Sequence, residues 1–192
     1  MSLPIYKANV DMLDDSGMVI ISFVDLPAVE RNFLSFSSKK GIMSYKIMNE
    51  EKQKVFGVVM ECNKPIYRND NGFEYYIVFD EKTIELMTEK YFKNGYQNNV
   101  DTNHNLKLED GITLTQMFIK NSEKGIIPNG FEDVSDGSLF AEFHVENNEV
   151  WDSIKKGDYK GFSLCGSFNV KQKPDEYDDI MELITKIENK LK

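Results

Sequence analysis

Short apolar runs separated by polar breaks recur along most of the chain, a pattern typical of strands joined by turns. The clearest runs predict strands at 18–24, 55–60, 73–79, 112–119 and 139–145. Weaker alternation predicts extended segments at 29–36, 41–47 and 66–68. The Asn-Asp-Asn-Gly sequence at 69–72 favours a tight turn, so 66–68 and 73–79 are expected to form a hairpin.

Helical spacing of apolar residues appears in two short segments, each with residues suited to begin and end a helix. Asp80 is placed to cap the first helix, which we expect to stop near Gly95. Asn147 or Asn148 caps the second, and Gly157 ends it. Many short strands with few helices predict an α+β domain or a strand-rich β-barrel with flanking helices.

The pattern changes near the C-terminus, where residues 172–192 form a separate amphipathic segment after a domain at 1–171. Its narrow apolar stripe at helical spacing consists of Ile180, Leu183, Ile184, Ile187 and Leu191. The stripe could pack on its own domain or contact a partner, and packing is the preferred interpretation.

The stretch 160–170 has two unlike faces at period two. Large apolar side chains such as Phe162 and Leu164 occupy one face, whereas Gly161, Ser163 and Cys165 lie on the other. Such a small polar face leaves room for another group to approach the backbone. The alternative is an edge or sandwich strand whose outer face is small.

Composition limits the functional classes. With 192 residues the chain suits one domain, and its net charge of −9 argues against nucleic-acid binding. No apolar run is long enough to span a membrane, and the first residues do not resemble a signal peptide. Two cysteines without a metal or disulfide pattern indicate a reducing compartment, so we expect a cytosolic protein.

Candidate chemistry is sparse, because the chain has only two histidines, His104 and His144. A histidine general base must therefore be one of them. We find no glycine-rich phosphate loop, Gly-x-Ser-x-Gly elbow or metal-binding helix, and we expect neither a metal nor a cofactor. Cys165 could act as a nucleophile only beside a histidine; a small, partly buried side chain is the commoner role.

Several segments together resemble the XkdF-type phage prohead serine proteases. They are Asn-His-Asn at 103–105, Asn-Glu-Val-Trp-Asp-Ser-Ile-Lys-Lys-Gly at 148–157 and Gly-Phe-Ser-Leu at 161–164. The segment 22–30, Ser-Phe-Val-Asp-Leu-Pro-Ala-Val-Glu, is also similar to the opening of that family.

The resemblance implies a barrel like that of the herpesvirus assemblin proteases, with Ser163 as nucleophile and His104 as general base. It also implies cleavage of scaffold and capsid precursors in the assembling prohead, within the host cytoplasm, by a homodimer. Cys165 and Gln116 stand where the family usually has Glu, so the third catalytic group is open, with Glu142 and Asp101 as candidates. A weak or inactive protease-fold protein of the phage head is the alternative.

These expectations give a geometric prediction. Ser163 and His104 should meet, since a serine hydroxyl needs a neighbouring base to become nucleophilic. Cys165 should line the same cleft, because it shares a strand face with Ser163. Gln116 is expected to line the cleft as well, and His144 should lie outside it.

Overall fold

The structure is a computed structural model that describes residues 3–28, 34–35 and 52–172. The strand predicted at 41–47 lies outside the described residues. The same is true of the C-terminal helix predicted within 172–192, apart from residue 172. Of the extended segment predicted at 29–36, the described part is the two-residue strand at 34–35.

The described residues form eleven strands and two helices. In chain order they are β1 (Ile5–Asn9), β2 (Gly17–Val24), β3 (Leu34–Ser35), β4 (Lys54–Met60), β5 (Ile66–Asp70), β6 (Phe73–Val78), α1 (Glu81–Lys93), β7 (Val100–Thr102), β8 (Ile112–Ile119), β9 (Leu139–Val145), α2 (Asn148–Lys156), β10 (Gly161–Ser167) and β11 (Asn169–Gln172).

The strands of the described part make three sheets, ordered β11–β1–β6–β5, β10–β2–β7 and β3–β4–β9–β8. Most pairs are antiparallel, but β1 pairs with β6 and β2 pairs with β7 in parallel. The α+β class is therefore confirmed. These described strands do not close into a barrel: after a bulge at Cys165/Gly166 the chain leaves β10 and continues as β11 beside β1. The barrel expected from the resemblance is thus not seen.

The core between the second and third sheets is built from aromatic side chains. Phe23 of β2 and Phe162 of β10 both contact Phe143 of β9, with ring centroids 5.4 and 5.3 Å apart, and all three are fully buried. Burial of each such ring contributes about 1.5–3 kcal/mol. The apolar faces of β2 and β10 therefore point toward the β3–β4–β9–β8 sheet, and their other faces point away from it.

Both helices begin where the sequence predicts. The Asp80 side chain accepts a hydrogen bond from Thr83 N at 2.9 Å and caps α1. Asn147 caps α2 by accepting from Glu149 N and Val150 N, and Gly157 ends that helix with a left-handed φ of 84°. The caps supply partners for backbone groups that a helix leaves unpaired at its ends.

The close pairing of β10 with β2 requires a glycine at the bulge. A Cβ atom at Gly166 would lie 2.1 Å from the carbonyl oxygen of Gly17. Residue 166 therefore has no room for a side chain, and β10 is held directly against the backbone of β2.

Candidate active site

Three polar residues lie side by side across the β10–β2–β7 sheet. Ser163 of β10 is the register partner of Ser22 in β2, and Ser22 is the register partner of Asp101 in β7. Directly paired residues place their side chains on the same face of a sheet. We call Ser163, Ser22 and Asp101 the polar row; it lies on the face opposite Phe23 and Phe162.

The polar row is buried. Ser22 and Asp101 are 0 % exposed, and Ser163 is 5 % exposed. Buried polar groups without hydrogen-bond partners are costly, so each atom of the row needs a neighbour within reach.

His104 lies directly beyond β7 and contacts the middle of this row. Its Nδ1 atom is 2.8 Å from the Ser22 hydroxyl oxygen, a hydrogen bond whose direction depends on the imidazole tautomer. The His104 residue itself is exposed. The imidazole is thus anchored at one nitrogen to a buried hydroxyl while remaining accessible to a substrate.

The loop that carries His104 has an uncommon backbone conformation. Asn103, His104 and Leu106 have φ values of 49°, 56° and 60°, in the left-handed region that few non-glycine residues adopt. Such conformations cost free energy and persist where surrounding contacts impose them.

Two groups of hydrogen bonds impose this loop conformation. Asn103 N donates to the carbonyl oxygen of Phe23 at 2.9 Å, and the Asn103 side-chain oxygen accepts from Asp25 N at 3.2 Å. On the other side of His104, Leu106 N donates to Asp101 Oδ2 at 2.8 Å. The position of His104 therefore depends on β2 and on the carboxylate of the polar row.

Asp101 uses only one of its carboxylate oxygens in this way. Among the residues that the structure describes, its buried Oδ1 atom has no hydrogen-bond partner. An unpaired oxygen on a fully buried carboxylate is an expensive arrangement, and in native proteins it often marks a functional site.

Cys165 follows Ser163 by two residues on β10 and shares its face, as predicted. Burial, and secondarily the negative charge of Asp101, raises the pKa of the Cys165 thiol. The thiol is therefore protonated at neutral pH, which disfavours it as the nucleophile.

Glu142, Gln116 and His144 lie elsewhere, on the β3–β4–β9–β8 sheet. Gln116 of β8 pairs with Glu142 of β9. The intervening Phe143 points toward β2 and β10, so strand alternation directs Glu142 and His144 to the outer face of that sheet.

The outer face gives Glu142 partners of its own. Its Oε1 atom accepts hydrogen bonds from Lys54 Nζ and Thr115 Oγ1, each at 2.6 Å. The structure therefore does not bring Glu142 or Gln116 to Ser163, in contrast to the prediction that they join the cleft.

Sequence reasoning missed Ser22. It lies inside an apolar run that predicts a buried strand, and it begins the segment 22–30 that resembles the family opening, but neither pattern assigned it a role. The strand role of Asp101 was also missed, because β7 has three residues and lies within a polar link. The contacts join His104 to Ser22, the strand partner of Ser163; direct contact between Ser163 and His104 stays a prediction.

No group of three or more His, Cys, Asp or Glu side chains in the ranges 3–28 and 52–172 is arranged to hold a metal ion. Within the same ranges, no helix has the length and apolar character needed to cross a membrane.

A buried serine on a strand, paired with a serine that binds an accessible histidine, defines a candidate serine hydrolase site. Comparison with protein families gives the class directly: the family described as "Putative phage serine protease XkdF" matches residues 43–172. The chain belongs to this family of phage serine proteases. No curated protein and no solved structure matched the chain. The matched range includes Asp101, His104 and Ser163, whereas Ser22 precedes it.

Proposed function

We propose that this protein is a prohead maturation serine endopeptidase, which cleaves scaffold and capsid precursor proteins of a phage. In this proposal Ser163 is the nucleophile and His104 is the general base. Membership of the phage serine protease family supports the activity. The observation that carries the assignment of residues is the hydrogen bond between His104 and Ser22, the register partner of Ser163.

The spacing of paired strands supports contact between the two residues. Opposite residues of an antiparallel pair have Cβ atoms about 4.5–5.5 Å apart. His104 is hydrogen-bonded to Ser22, so its ring contacts the strand that pairs with the strand of Ser163. A general base works at about 2.6–3.2 Å, and such pairs are often looser before substrate binds.

The reaction follows from these positions. The Ser163 oxygen forms a bond to the carbonyl carbon of the scissile peptide while its proton passes to His104. Collapse of the tetrahedral intermediate breaks the C–N bond, and His104 gives the proton to the leaving amine. Water then attacks the acyl-enzyme by the same route, which releases the second product and restores the Ser163 hydroxyl.

Asp101 is the better candidate for the third member. It belongs to the polar row, it fixes the His104 loop through Leu106 N, and its second oxygen has no partner among the described residues. Glu142 lies on another sheet, where Lys54 and Thr115 already bind it. An orienting carboxylate in a serine protease stabilises the charged imidazole that forms during attack.

The proposed substrates, location and assembly come from the resemblance described above. Cleavage would take place in the assembling prohead within the host cytoplasm, with scaffold and capsid proteins as partners and a homodimer as the working form. The proposal includes no cofactor, nucleic acid or membrane.

A second function is favoured by one observation: Ser22, rather than Ser163, is the residue bonded to His104. If the bond from Nδ1 to Ser22 holds the Nε2 atom of His104 out of reach of Ser163, the histidine cannot activate that serine. The chain would then be an inactive structural or binding protein of the phage head with a protease-like sequence.

The test is incubation of the purified chain with the scaffold and capsid precursors of its own phage, followed by mass spectrometry of the products. Specific cuts that disappear in Ser163→Ala are expected. Ser167→Ala is the matched control, since Ser167 is an exposed serine at the end of the same strand. Absence of cuts, or cuts that persist in Ser163→Ala, would contradict the proposal.

A further inference from the structure

A half-open groove lies at the end of the β2–β10 pair, next to the loop that carries His104. Its volume is about 500 Å³, which is within the range of sites that bind small molecules and single side chains. Three segments of the described chain line it: residues 25–28 after β2, residues 66–68 of β5, and Lys160 before β10. We call this the β5 groove.

Two hydrogen bonds connect the β5 groove to the proposed catalytic residues. Asp25 N donates to the side-chain oxygen of Asn103, the residue before His104, at 3.2 Å. Lys160 N donates to the carbonyl oxygen of the last residue of β2 at 2.8 Å, so the pairing of β10 with β2 continues to the edge of the groove. Lys160 precedes Ser163 by three residues, which corresponds to about 10 Å along a strand. An extended peptide with its scissile bond at Ser163 would reach the groove after about three residues.

Apolar side chains form the floor and the edges of the β5 groove. Ile66 is 3 % exposed and Pro27 is buried, so these two side chains form the floor. Leu26 and Tyr67 are 79 % and 47 % exposed and present apolar surface to solvent at the edges. A peptide lying along the groove would remove this surface from water, which favours its binding.

Two basic side chains, Arg68 on β5 and Lys160 before β10, line the groove from different sheets. The described part of the chain places no carboxylate in an ion pair with either of them. The Arg68 guanidinium donates to the carbonyl oxygen of Tyr67 at 3.2 Å, which leaves most of its N–H groups for a ligand. Among the described lining residues Asp25 is the acidic one, so two cations face one anion in a chain of net charge −9.

We propose that the β5 groove is a specificity subsite of the protease, which binds an acidic side chain of the precursor about three residues from the scissile bond. Arg68 and Lys160 pair with the carboxylate of that Asp or Glu, while Ile66 contacts the apolar part of the side chain. Arginine can hold a carboxylate through two parallel hydrogen bonds, and lysine adds a point charge. The inference rests on the proposed function for the position of the scissile bond, but binding in the groove requires no cleavage.

Cleavage of matched peptides tests the proposal in an active chain. A peptide that spans a cut in the scaffold or capsid precursor is made with Glu or with Gln at each position near the scissile bond. We expect kcat/KM to be about 5- to 10-fold higher for Glu than for Gln at a position about three residues from the cut. This preference should decrease in Arg68→Gln and in Lys160→Gln and should vanish in the double variant. A loss of structure would lower both rates and leave their ratio unchanged.

Lys124→Gln is the matched control, since Lys124 is an exposed lysine in the β8–β9 connection that does not line the groove. It should keep the preference for Glu. Equal rates for the Glu and Gln peptides at every position in the unmodified chain would overturn the proposal. So would a preference for Glu that persists in the folded double variant.

A binding measurement separates this inference from the proposed function. Fluorescein-labelled peptides that tile the same precursors are titrated with Ser163→Ala, and binding is followed by fluorescence anisotropy. We expect the tightest-binding peptide to lose about 5- to 10-fold in affinity when one Asp or Glu is replaced by its amide, and the double variant to lose as much. That result without any cleavage by the unmodified chain would keep the groove and reject the enzyme. Cleavage without a charge preference, or no binding by any peptide, would reject the groove.

Discussion

Two polar strand faces of this protein look alike in sequence and differ in structure. One is the polar row on the β10–β2–β7 sheet with His104 above it; the other is the outer face of the β3–β4–β9–β8 sheet with Glu142 and His144. Each combines a histidine with a carboxylate. On the outer face the carboxylate is bound by Lys54 and Thr115, whereas in the polar row Asp101 keeps a buried oxygen without a described partner.

The difference indicates where function is to be sought. A carboxylate whose hydrogen bonds are supplied by a lysine and a threonine needs no further explanation, since such ion pairs are common in proteins. A buried carboxylate oxygen with no partner among the described residues, three residues before a histidine with a left-handed φ, costs stability and calls for an explanation beyond packing.

The histidines give the largest expected contrast. His104→Ala should reduce cleavage of the precursor by about 10⁴-fold or more, since removal of a general base from a serine protease has effects of that size. His144→Ala should leave the rate unchanged, because His144 lies on the other sheet between Lys54 and Thr113. Equal losses in both variants, measured as kcat/KM, would show that the comparison between the two faces is wrong.

The carboxylates come next. We expect Asp101→Asn to lower kcat by about 10³-fold, somewhat less than loss of a directly bonded triad acid. Glu142→Gln should be nearly neutral for activity. If Glu142→Gln were the more damaging of the two, the third member would lie on the outer face, and the arrangement of the sheets during catalysis would differ from the one described here.

The contact of β10 with β2 offers a stability test. In Gly166→Ala the added methyl group would meet the Gly17 carbonyl oxygen at 2.1 Å, so one strand must shift. We expect a loss of about 1–3 kcal/mol in the free energy of unfolding, measured by urea denaturation. The neighbouring Ser167→Ala should change it by less than about 0.5 kcal/mol. An equally stable Gly166→Ala would mean that β10 is not held against β2 in this way.

The smallest expected effect concerns the ion pair of the outer face. Lys54 and Glu142 side chains are 32 % and 12 % exposed, so the pair is only partly screened by water. Lys54→Met should destabilise the fold by at most about 1 kcal/mol and should not alter cleavage. A large loss of activity in this variant would show that the outer face takes part in cleavage, contrary to this prediction.

Much of the fold was predictable because its signals are local. The β5–β6 turn at Asn71-Gly72, the Asp80 and Asn147 caps and the Gly157 stop are fixed by chemistry within a few residues, and the structure has each of them. The sheet order was not predictable, since it depends on which strands meet across long sequence separations.

The site, too, combines residues with local signals and contacts between residues far apart in the sequence. Ser163, His104 and Asp101 could be named from the sequence, the first two by resemblance, but their connection runs through Ser22, about 80 residues before His104 in the chain. Glu142 could be assigned to the outer face of its sheet only once Phe143 was seen to face Phe23 and Phe162. Period-two alternation identifies two faces of a strand but does not say which one meets which neighbour.

The most direct test of the account is covalent labelling of the nucleophile. A fluorophosphonate reacts with an activated serine, and peptide mass spectrometry locates the modified residue. We expect one adduct, on Ser163, that is lost in His104→Ala and retained in His144→Ala. An adduct on Ser22, or no adduct on a chain that remains folded, would contradict the claim that Ser163 is the nucleophile of a serine protease.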